Sequence, residues 1–262
     1  MTSPLLIRGS GGRVSVTPQT AGWRYVSFRA LRVPRGERFA MNTEGSELCV
    51  VVIGGRCAVR VGDLSWPEVG ERASPFDGPP HAIYAPPHAA VEVAARDGDV
   101  EIAIGAAPAK RGEKARQIAP ADVRREIRGS GSMERTIHHI LMEDARAETL
   151  LVTEVVTPAG HWSSYPPHKH DTNAPPIETQ LEETYYHRLR EGKGFAVQRV
   201  YTADRELDET VAVRDGDLVL VPRGYHTVSA APGYELYYLN VMAGPVRRWC
   251  VTFDPEHEWL RR

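Results

Sequence analysis

Short apolar runs separated by glycine, proline and aspartate dominate the first half of the chain. Residues 24–33 are rich in β-branched and aromatic side chains, and residues 47–63 hold two apolar runs split by Gly54 and Gly55. A Gly-Gly pair between two such runs indicates a β-hairpin. Further runs at residues 81–96 and 99–109 are also bounded by turn residues. Because no 3.6-residue periodicity is present, this pattern predicts short antiparallel strands rather than helices.

The pattern changes between residues 110 and 132. This stretch is basic and poor in bulky apolar residues, and we expect one short helix within it at residues 121–127. Strand patterns resume at residues 136–142 and 148–158 and continue towards the C terminus. The chain is therefore predicted to contain an N-terminal barrel at residues 1–115, a connector at 116–135 and a C-terminal barrel at 136–262.

The two halves resemble each other in the order of their turns and strands. Glu47 stands before an apolar strand in the first half, where Glu183 stands in the second. Ala40 and Asn42 occupy the positions that correspond to a pair of histidines in the second half. An internal repeat of this kind predicts two similar units. We expect two small antiparallel barrels, of which the first holds no metal.

Composition and charge exclude several classes of protein. The 32 basic and 34 acidic residues are intermixed and give a net charge of −2, so no nucleic-acid-binding surface is expected. No apolar run approaches membrane length, and we expect no membrane partner. Cys49, Cys57 and Cys250 form no close metal-type pair, and their odd number does not suggest a disulfide framework. We therefore expect a cytoplasmic protein with reduced thiols. Exposed barrel edges favour a homo-oligomer, since unpaired strand edges tend to be covered.

Histidine and glutamate positions in the second half predict a metal site. His168 and His170 are two residues apart, so in an extended strand both imidazoles face the same side. Glu183 can add an oxygen ligand, and His226 follows an apolar run and a Pro-Arg-Gly turn. Three imidazoles and one carboxylate form a set that binds one divalent transition metal ion. The set by itself leaves zinc, manganese, iron and nickel open.

The paired histidines, the later glutamate and the last turn with its histidine resemble the two-motif signature of the cupin superfamily. The chain departs from the general pattern by a longer segment between His170 and Glu183 and a shorter one before His226. A narrower match is denser: the runs WSSYPPHKHD, LEETYYHR, GFAVQRVY, VPRGYH and PGYELYYLNVMAG resemble the 5-deoxy-glucuronate isomerase family of myo-inositol catabolism. This resemblance covers residues 129–259 densely and the first half loosely, with Ser132 where an asparagine is expected.

The resemblance implies an all-β, two-cupin (bicupin) β-barrel fold with the metal site in the C-terminal barrel. By motif position, it implies His168, His170, Glu183 and His226 as metal ligands. Zinc is favoured through the related 5-keto-4-deoxyuronate isomerase, a zinc enzyme of pectin breakdown. The implied reaction is the aldose–ketose isomerisation of 5-deoxy-D-glucuronate to 5-dehydro-2-deoxy-D-gluconate, with a small sugar acid as substrate.

An isomerase of this type must polarise a carbonyl, move a proton between neighbouring carbons and hold an anionic substrate. We expect Arg199 to bind the substrate carboxylate through its guanidinium, with Arg223 as the second candidate. Tyr185 shares the strand face of Glu183 and is a candidate for proton transfer, together with Tyr238. Tyr165 is a further option, and an enediol or a hydride route both remain open.

Three other functions remain open from the residues alone. The same ligand set suits a metal-dependent cupin oxygenase, since a fold does not determine its chemistry. The pectin-pathway isomerase named above shares the implied motif. A non-catalytic sugar-binding cupin is the third alternative.

Overall fold

Antiparallel strands make up about half of the molecule, whose computed structural model describes residues 3–261. The first half contains one short helix, α1 (Pro18–Ala21), and eleven strands. These strands are β1 (Leu6–Ile7), β2 (Val14–Val16), β3 (Ser27–Val33), β4 (Arg38–Asn42), β5 (Ser46–Gly54), β6 (Cys57–Val61), β7 (Leu64–Val69), β8 (Ala82–Ala85), β9 (Ala90–Ala95), β10 (Val100–Pro108) and β11 (Arg116–Ile118).

The second half adds eleven strands and short 3₁₀ segments at Pro120–Asp122, Gly131–Met133 and Pro255–Arg261. Its strands are β12 (Arg124–Arg128), β13 (Arg135–Leu141), β14 (Leu151–Thr157), β15 (Trp162–Lys169), β16 (Glu182–Leu189), β17 (Ala196–Tyr201), β18 (Asp208–Val213), β19 (Leu218–Val221), β20 (Tyr225–Ala230), β21 (Leu236–Ala243) and β22 (Thr252–Phe253).

The strands form two large and two small sheets. The large sheets have the orders β11-β8-β5-β10-β3-β2 and β1-β19-β16-β21-β14-β13-β12, and the small ones have the orders β4-β9-β6-β7 and β18-β17-β20-β15-β22. One apolar core joins the six-stranded sheet to the four-stranded sheet, and another joins the seven-stranded sheet to the five-stranded sheet. A third core lies between the two large sheets. The four sheets are therefore stacked as two β-sandwich barrels placed back to back.

Central strands of the large sheets are buried on both faces. All eight residues of β21 are buried, as are eight of the nine in β5, and both strands are rich in apolar or aromatic side chains. Strands of the small sheets alternate instead, as β9 does, because one of their faces meets solvent. The large sheets approach so closely that a Cβ on Gly105 would lie 2.6 Å from the side chain of Val241. Glycine at this position is required by the packing.

The connector differs from the sequence-based expectation. Residues 121–127 form no α-helix: a 3₁₀ turn at Pro120–Asp122 leads into the strand β12. The physical reason is pairing, because β12 lies against β13 along its whole length and extends the seven-stranded sheet. The edge strands also cross between halves, since β1 pairs with β19 of the C-terminal half. The sheets therefore do not follow the predicted domain boundaries. The division into residues 1–115, 116–135 and 136–262 remains a proposal.

Strand register shifts the internal alignment by one residue. Glu47 accepts backbone hydrogen bonds from residues 148–150, just before β14, at 2.6–3.1 Å. Glu182 accepts the same kind of bonds from residues 24–26, just before β3, at 2.6–3.0 Å. Each carboxylate thus binds a turn of the other half, so Glu47 corresponds to Glu182 and Leu48 to Glu183. The expected match of Glu47 with Glu183 was wrong, and a shift of one residue moves a side chain to the opposite face.

A buried ion pair crosses the interface between the two large sheets. Arg72 donates to both carboxylate oxygens of Glu154, at 2.8 and 3.0 Å, and both side chains are almost fully buried. Arg72 also donates to backbone carbonyls of its own half. His138 and Tyr237 complete the contacts of Glu154, at 2.8 and 2.9 Å. Burial alone would raise the pKa of Glu154, but Arg72 and His138 outweigh burial and lower it.

Within residues 3–261, no helix has the length and apolar character needed to cross a membrane.

We predict that Arg72→Met lowers the free energy of unfolding by about 3–5 kcal/mol, because it leaves the Glu154 carboxylate buried without its cation. Urea unfolding followed by tryptophan fluorescence measures the change. The double variant Arg72→Met/Glu154→Gln should recover part of the loss, since the charge is then removed as well. Equal stability of Arg72→Met and wild type would show that the pair does not hold the halves together.

Candidate metal centre and its cavity

Three histidine side chains meet inside the C-terminal barrel. His168 on β15 lies directly opposite His226 on β20, so the two imidazoles come from adjacent strands. His170 follows the end of β15 and faces the same side as His168. One ring nitrogen from each of the three lies within 4.8 Å of the others, and all three residues are buried. The sequence-predicted histidines are therefore brought together.

The segment between His170 and Glu183, which is longer than in the general cupin pattern, folds back on itself. The backbone N–H of Leu181 donates to the His170 carbonyl at 2.8 Å, and His170 Nδ1 lies 3.0 Å from the Leu181 carbonyl. Glu178 is tied to Lys169 and to the backbone of residues 171–172 at 2.8–3.0 Å. Glu183 consequently enters β16 beside the histidines.

Glu183 supplies a fourth donor to the cluster. Its Oε2 lies 3.0 Å from His170 Nε2 and 3.2 Å from His226 Nε2. Burial alone would raise the Glu183 pKa, but the two imidazoles outweigh burial and hold it at about 2. Burial, together with His226 and His170, lowers the pKa of His168 well below its ordinary value. The site therefore presents an ionised carboxylate and a neutral imidazole.

The donor set fits a divalent metal ion. His170 Nδ1 and His226 Nδ1 lie 3.0 and 3.1 Å from backbone carbonyls, which orients each ring and leaves Nε2 for the centre of the cluster. His226 Nε2 lies close to Glu183, but the geometry is not that of a hydrogen bond. This buried nitrogen therefore has no hydrogen-bond partner among the described residues. A cation between these nitrogens and the carboxylate would satisfy all of them.

A cavity opens beside the cluster. Its wall is one face of the seven-stranded sheet, to which β13, β14, β21 and β16 contribute alternate residues, and His168 lines the same cavity. The sheet residues are Arg135, Ile137, His139, Thr153, Val155, Glu183, Tyr185, Tyr238, Asn240 and Met242. This two-residue period is that of a regular strand. The neighbouring residues of the same strands point into the core between the two halves.

The tyrosines predicted for proton transfer both line this cavity. Tyr185 OH lies 3.0 Å from Ser164 Oγ, and Tyr238 OH lies 2.5 Å from Ser163 Oγ. Their rings pack against each other with centroids 4.9 Å apart. Burial raises the pKa of both phenols, so both are protonated at neutral pH. Tyr165 lies elsewhere, against Trp162.

The structure corrects the two arginines predicted to bind the substrate carboxylate. Neither Arg199 nor Arg223 lines the cavity. Arg199 forms a two-point ion pair with Asp208 at 2.9 Å on the outer sheet, because its position on β17 turns it away from the barrel interior. Arg223 is an exposed turn residue whose guanidinium lies 3.4 Å from Glu206.

Other cavity residues were missed by the sequence reasoning. Arg135 and His139 face the cavity from β13, and Arg128 and Trp249 lie at it as well. His139 Nε2 lies 2.9 Å from Glu126, while its buried Nδ1 has no partner among residues 3–261. Burial lowers the pKa of His139. A signal was available for His139, since positions 137 and 139 of the predicted strand 136–142 alternate in the manner of a single face, and Arg135 directly precedes that strand.

The matching positions of the N-terminal barrel carry no comparable donors. Met41 pairs with Val91 as His168 pairs with His226, so the expected counterparts Ala40 and Asn42 are displaced by one residue. Leu48 and Val91 are buried in the apolar core, and the hydroxyl of Thr43 donates to a backbone carbonyl. The absence of a metal from this barrel remains a prediction, now on different residues.

Comparison with known proteins places the chain among characterised relatives. The model of the KduI/IolB family matches residues 5–260. This chain belongs to that family. It is 50% identical over 251 residues to the 5-deoxy-glucuronate isomerase of Geobacillus kaustophilus, an alignment that covers 95% of this chain and 91% of the relative.

Solved structures of other proteins share the fold of this KduI/IolB family member. An IolB-like protein from Salmonella typhimurium LT2 superposes with a TM-score of 0.96 at 43% identity, covering 98% of this chain and 99% of the other. The oxalate decarboxylase of Lactobacillus farciminis gives a TM-score of 0.68 at 12% identity, covering 97% and 89%, which is a likeness of fold alone. The predicted all-β, two-cupin architecture is confirmed.

We predict that His170→Ala lowers the metal content of the purified protein from about one ion per chain towards zero, since a tetrahedral or octahedral site loses one of its four protein ligands. Elemental analysis of dialysed protein measures the content. The matched control is His88→Asn, which removes an exposed imidazole of the other barrel and tolerates the positive φ of 59° at that position. Unchanged metal content in His170→Ala would contradict the assigned ligand set.

Proposed function

We propose that this chain is a metal-dependent aldose–ketose isomerase that converts 5-deoxy-D-glucuronate to 5-dehydro-2-deoxy-D-gluconate. The observation that carries the proposal is the meeting of three histidines and Glu183 beside one cavity, which His168 and Glu183 line. Membership of the KduI/IolB family supports the substrate, because relatives at 50% identity are named 5-deoxy-glucuronate isomerase.

His168, His170, Glu183 and His226 would hold one divalent ion. Zinc is the proposed metal, and the donor set also accommodates manganese, iron or nickel. When bound, such an ion supplies Lewis-acid polarisation of the substrate carbonyl and its adjacent hydroxyl. The protein keeps the ligands in place through the backbone contacts of His170 and His226.

The cavity wall provides groups that can orient the substrate and carry its proton. Tyr185 and Tyr238 are protonated phenols fixed by Ser164 and Ser163, so they can donate hydrogen bonds to sugar oxygens. His139 has an unpartnered Nδ1 that can accept a proton, and Glu126 holds its other ring nitrogen. Isomerisation moves one hydrogen between neighbouring carbons and has no net redox change, so the reaction requires no further cofactor.

Assembly and location complete the proposal. Ile177, Phe195 and Trp259 are exposed and offer apolar surface to a second copy of the chain, which supports a homo-oligomer. The free thiols of Cys49, Cys57 and Cys250 support a cytoplasmic protein.

The first test is the reaction. Metal-replete protein should interconvert 5-deoxy-D-glucuronate and 5-dehydro-2-deoxy-D-gluconate without nicotinamide or oxygen, as followed by NMR of the anomeric signals. A chelator should abolish turnover and a divalent ion should restore it. We expect 4-deoxy-5-keto-uronate to be a much poorer substrate. Turnover of that compound instead would assign the pectin-pathway reaction, and oxygen uptake would indicate an oxygenase.

A second test compares the roles of two adjacent tyrosines of β21. Tyr238→Phe should lower kcat about 100-fold with unchanged metal content, because a hydrogen-bond donor in the cavity is lost. Tyr237→Phe is the matched control: its hydroxyl bonds Glu154 in the interface between the halves, so stability should fall while kcat is retained. Steady-state kinetics and urea unfolding of both variants measure these effects. Equal kcat values for the two variants would remove Tyr238 from the proposed mechanism.

A further inference from the structure

Arg135 is a buried cation at the cavity wall. It begins β13, is 8% exposed, and lines the same cavity as His168 and Glu183. Its Nη1 donates to the carbonyl of Met133 at 2.9 Å. Within residues 3–261, no carboxylate forms an ion pair with it, and its Nε and Nη2 donate to no protein atom. The guanidinium therefore keeps two adjacent donors available.

Other arginines withdrawn from solvent are compensated by the protein. Arg72 is paired with Glu154, and Arg188 contacts Glu101 and Asp215. Arg247 has no acidic partner but donates to three backbone carbonyls at 2.7–3.1 Å. Arg135, with one carbonyl only, is the exception among these four.

The neighbouring Arg128, unlike Arg135, has an acidic partner. Arg128 lies opposite Arg135 in the sheet register, and Glu126 neutralises it through bonds of 2.7 and 3.0 Å. The carboxylate of Glu126 is thus used by Arg128 and His139 and is not paired with Arg135. Two guanidinium groups occupy one edge of the cavity, and the charge of the more buried one is left uncompensated.

An uncompensated buried charge is costly, because the group loses its hydration and receives no opposite charge in return. Burial accordingly lowers the pKa of Arg135, although a guanidinium stays protonated at neutral pH. An anion that entered the cavity would meet the two free donors of Arg135. Guanidinium groups bind carboxylates in this way, through two parallel N–H···O bonds.

We propose that Arg135 binds the carboxylate of the sugar acid and thereby makes the site selective for a uronate over the corresponding neutral sugar. This inference rests on the proposed isomerase function and adds an anion-binding group on β13 to the cavity that His168 and Glu183 also line. It replaces the role first expected for Arg199 and Arg223. Arg135 acts on binding and positioning and takes no part in the proton transfer.

Selectivity between an acid and its neutral analogue tests the proposal. The pair is 5-deoxy-D-glucuronate and 5-deoxy-D-glucose, which differ only by a carboxylate or a hydroxymethyl group at carbon 6. Wild-type metal-replete protein should prefer the acid in kcat/KM. Arg135→Met should lower kcat/KM for the acid 10- to 100-fold, mainly through KM, and leave the value for the neutral sugar unchanged.

Three controls make the test specific. Metal content should be the same in wild type and Arg135→Met. Arg125→Met removes an exposed positive charge from the adjacent strand and should change neither substrate, which excludes a general charge effect. Arg135→Lys keeps the charge but loses the two-point geometry, and should recover part of the preference for the acid.

An equal loss of kcat/KM for both substrates in Arg135→Met, or an unchanged preference, would overturn the proposal. If wild type turns over neither compound, the proposed reaction fails, and binding then decides the role of Arg135. In that case, thermal stabilisation of wild type by D-gluconate but not by D-glucitol, abolished in Arg135→Met, supports an anion site. The same stabilisation in both proteins refutes it.

Discussion

The ion pair between Arg72 and Glu154 links the two halves of the chain in the interface between the two large sheets. Both side chains are buried, and every oxygen of Glu154 has a partner. Such a pair adds stability only when it is complete, since either member alone would be a buried charge. The two barrels are thereby held in one relative position. The face of the seven-stranded sheet opposite this pair is the wall of the cavity beside the histidine cluster.

Because the seven-stranded sheet is buried on both faces, neighbouring residues of the same type have unrelated roles. Tyr237 bonds Glu154 in the interface, while Tyr238 lines the cavity. His138 belongs to the interface network, and His139 faces the cavity. Strand alternation is the cause. A substitution of a residue that faces the interface should therefore change stability. A substitution of a residue that faces the cavity should change the chemistry of the site.

The N-terminal barrel differs from the C-terminal barrel in the side chains of its interior. At the positions of the histidine cluster and Glu183 it has Met41, Leu48 and Val91, which fill its interior with apolar side chains. What the two halves still share is the reciprocal clamp in which Glu47 and Glu182 each bind the turn that leads into a strand of the other half. The two halves therefore share these structural carboxylates but differ at the positions of the histidine cluster.

The sequence by itself determined the class of fold, and it predicted the two-barrel organisation and the three histidines and glutamate that the structure brings together. Those follow from local information: apolar runs between turns, two histidines at strand spacing, and a density of matching motifs that few families share. It also indicated which face of β16 carries Glu183 and Tyr185. Only the tertiary structure decided the helix-to-strand change at β12, the one-residue register of the repeat and which arginine lies at the cavity. Arg199 and Arg135 look alike in sequence, since each is a basic residue on a strand. They differ because β17 turns Arg199 outward to Asp208, whereas β13 buries Arg135 beside the cavity, and that difference depends on which sheet each strand joins.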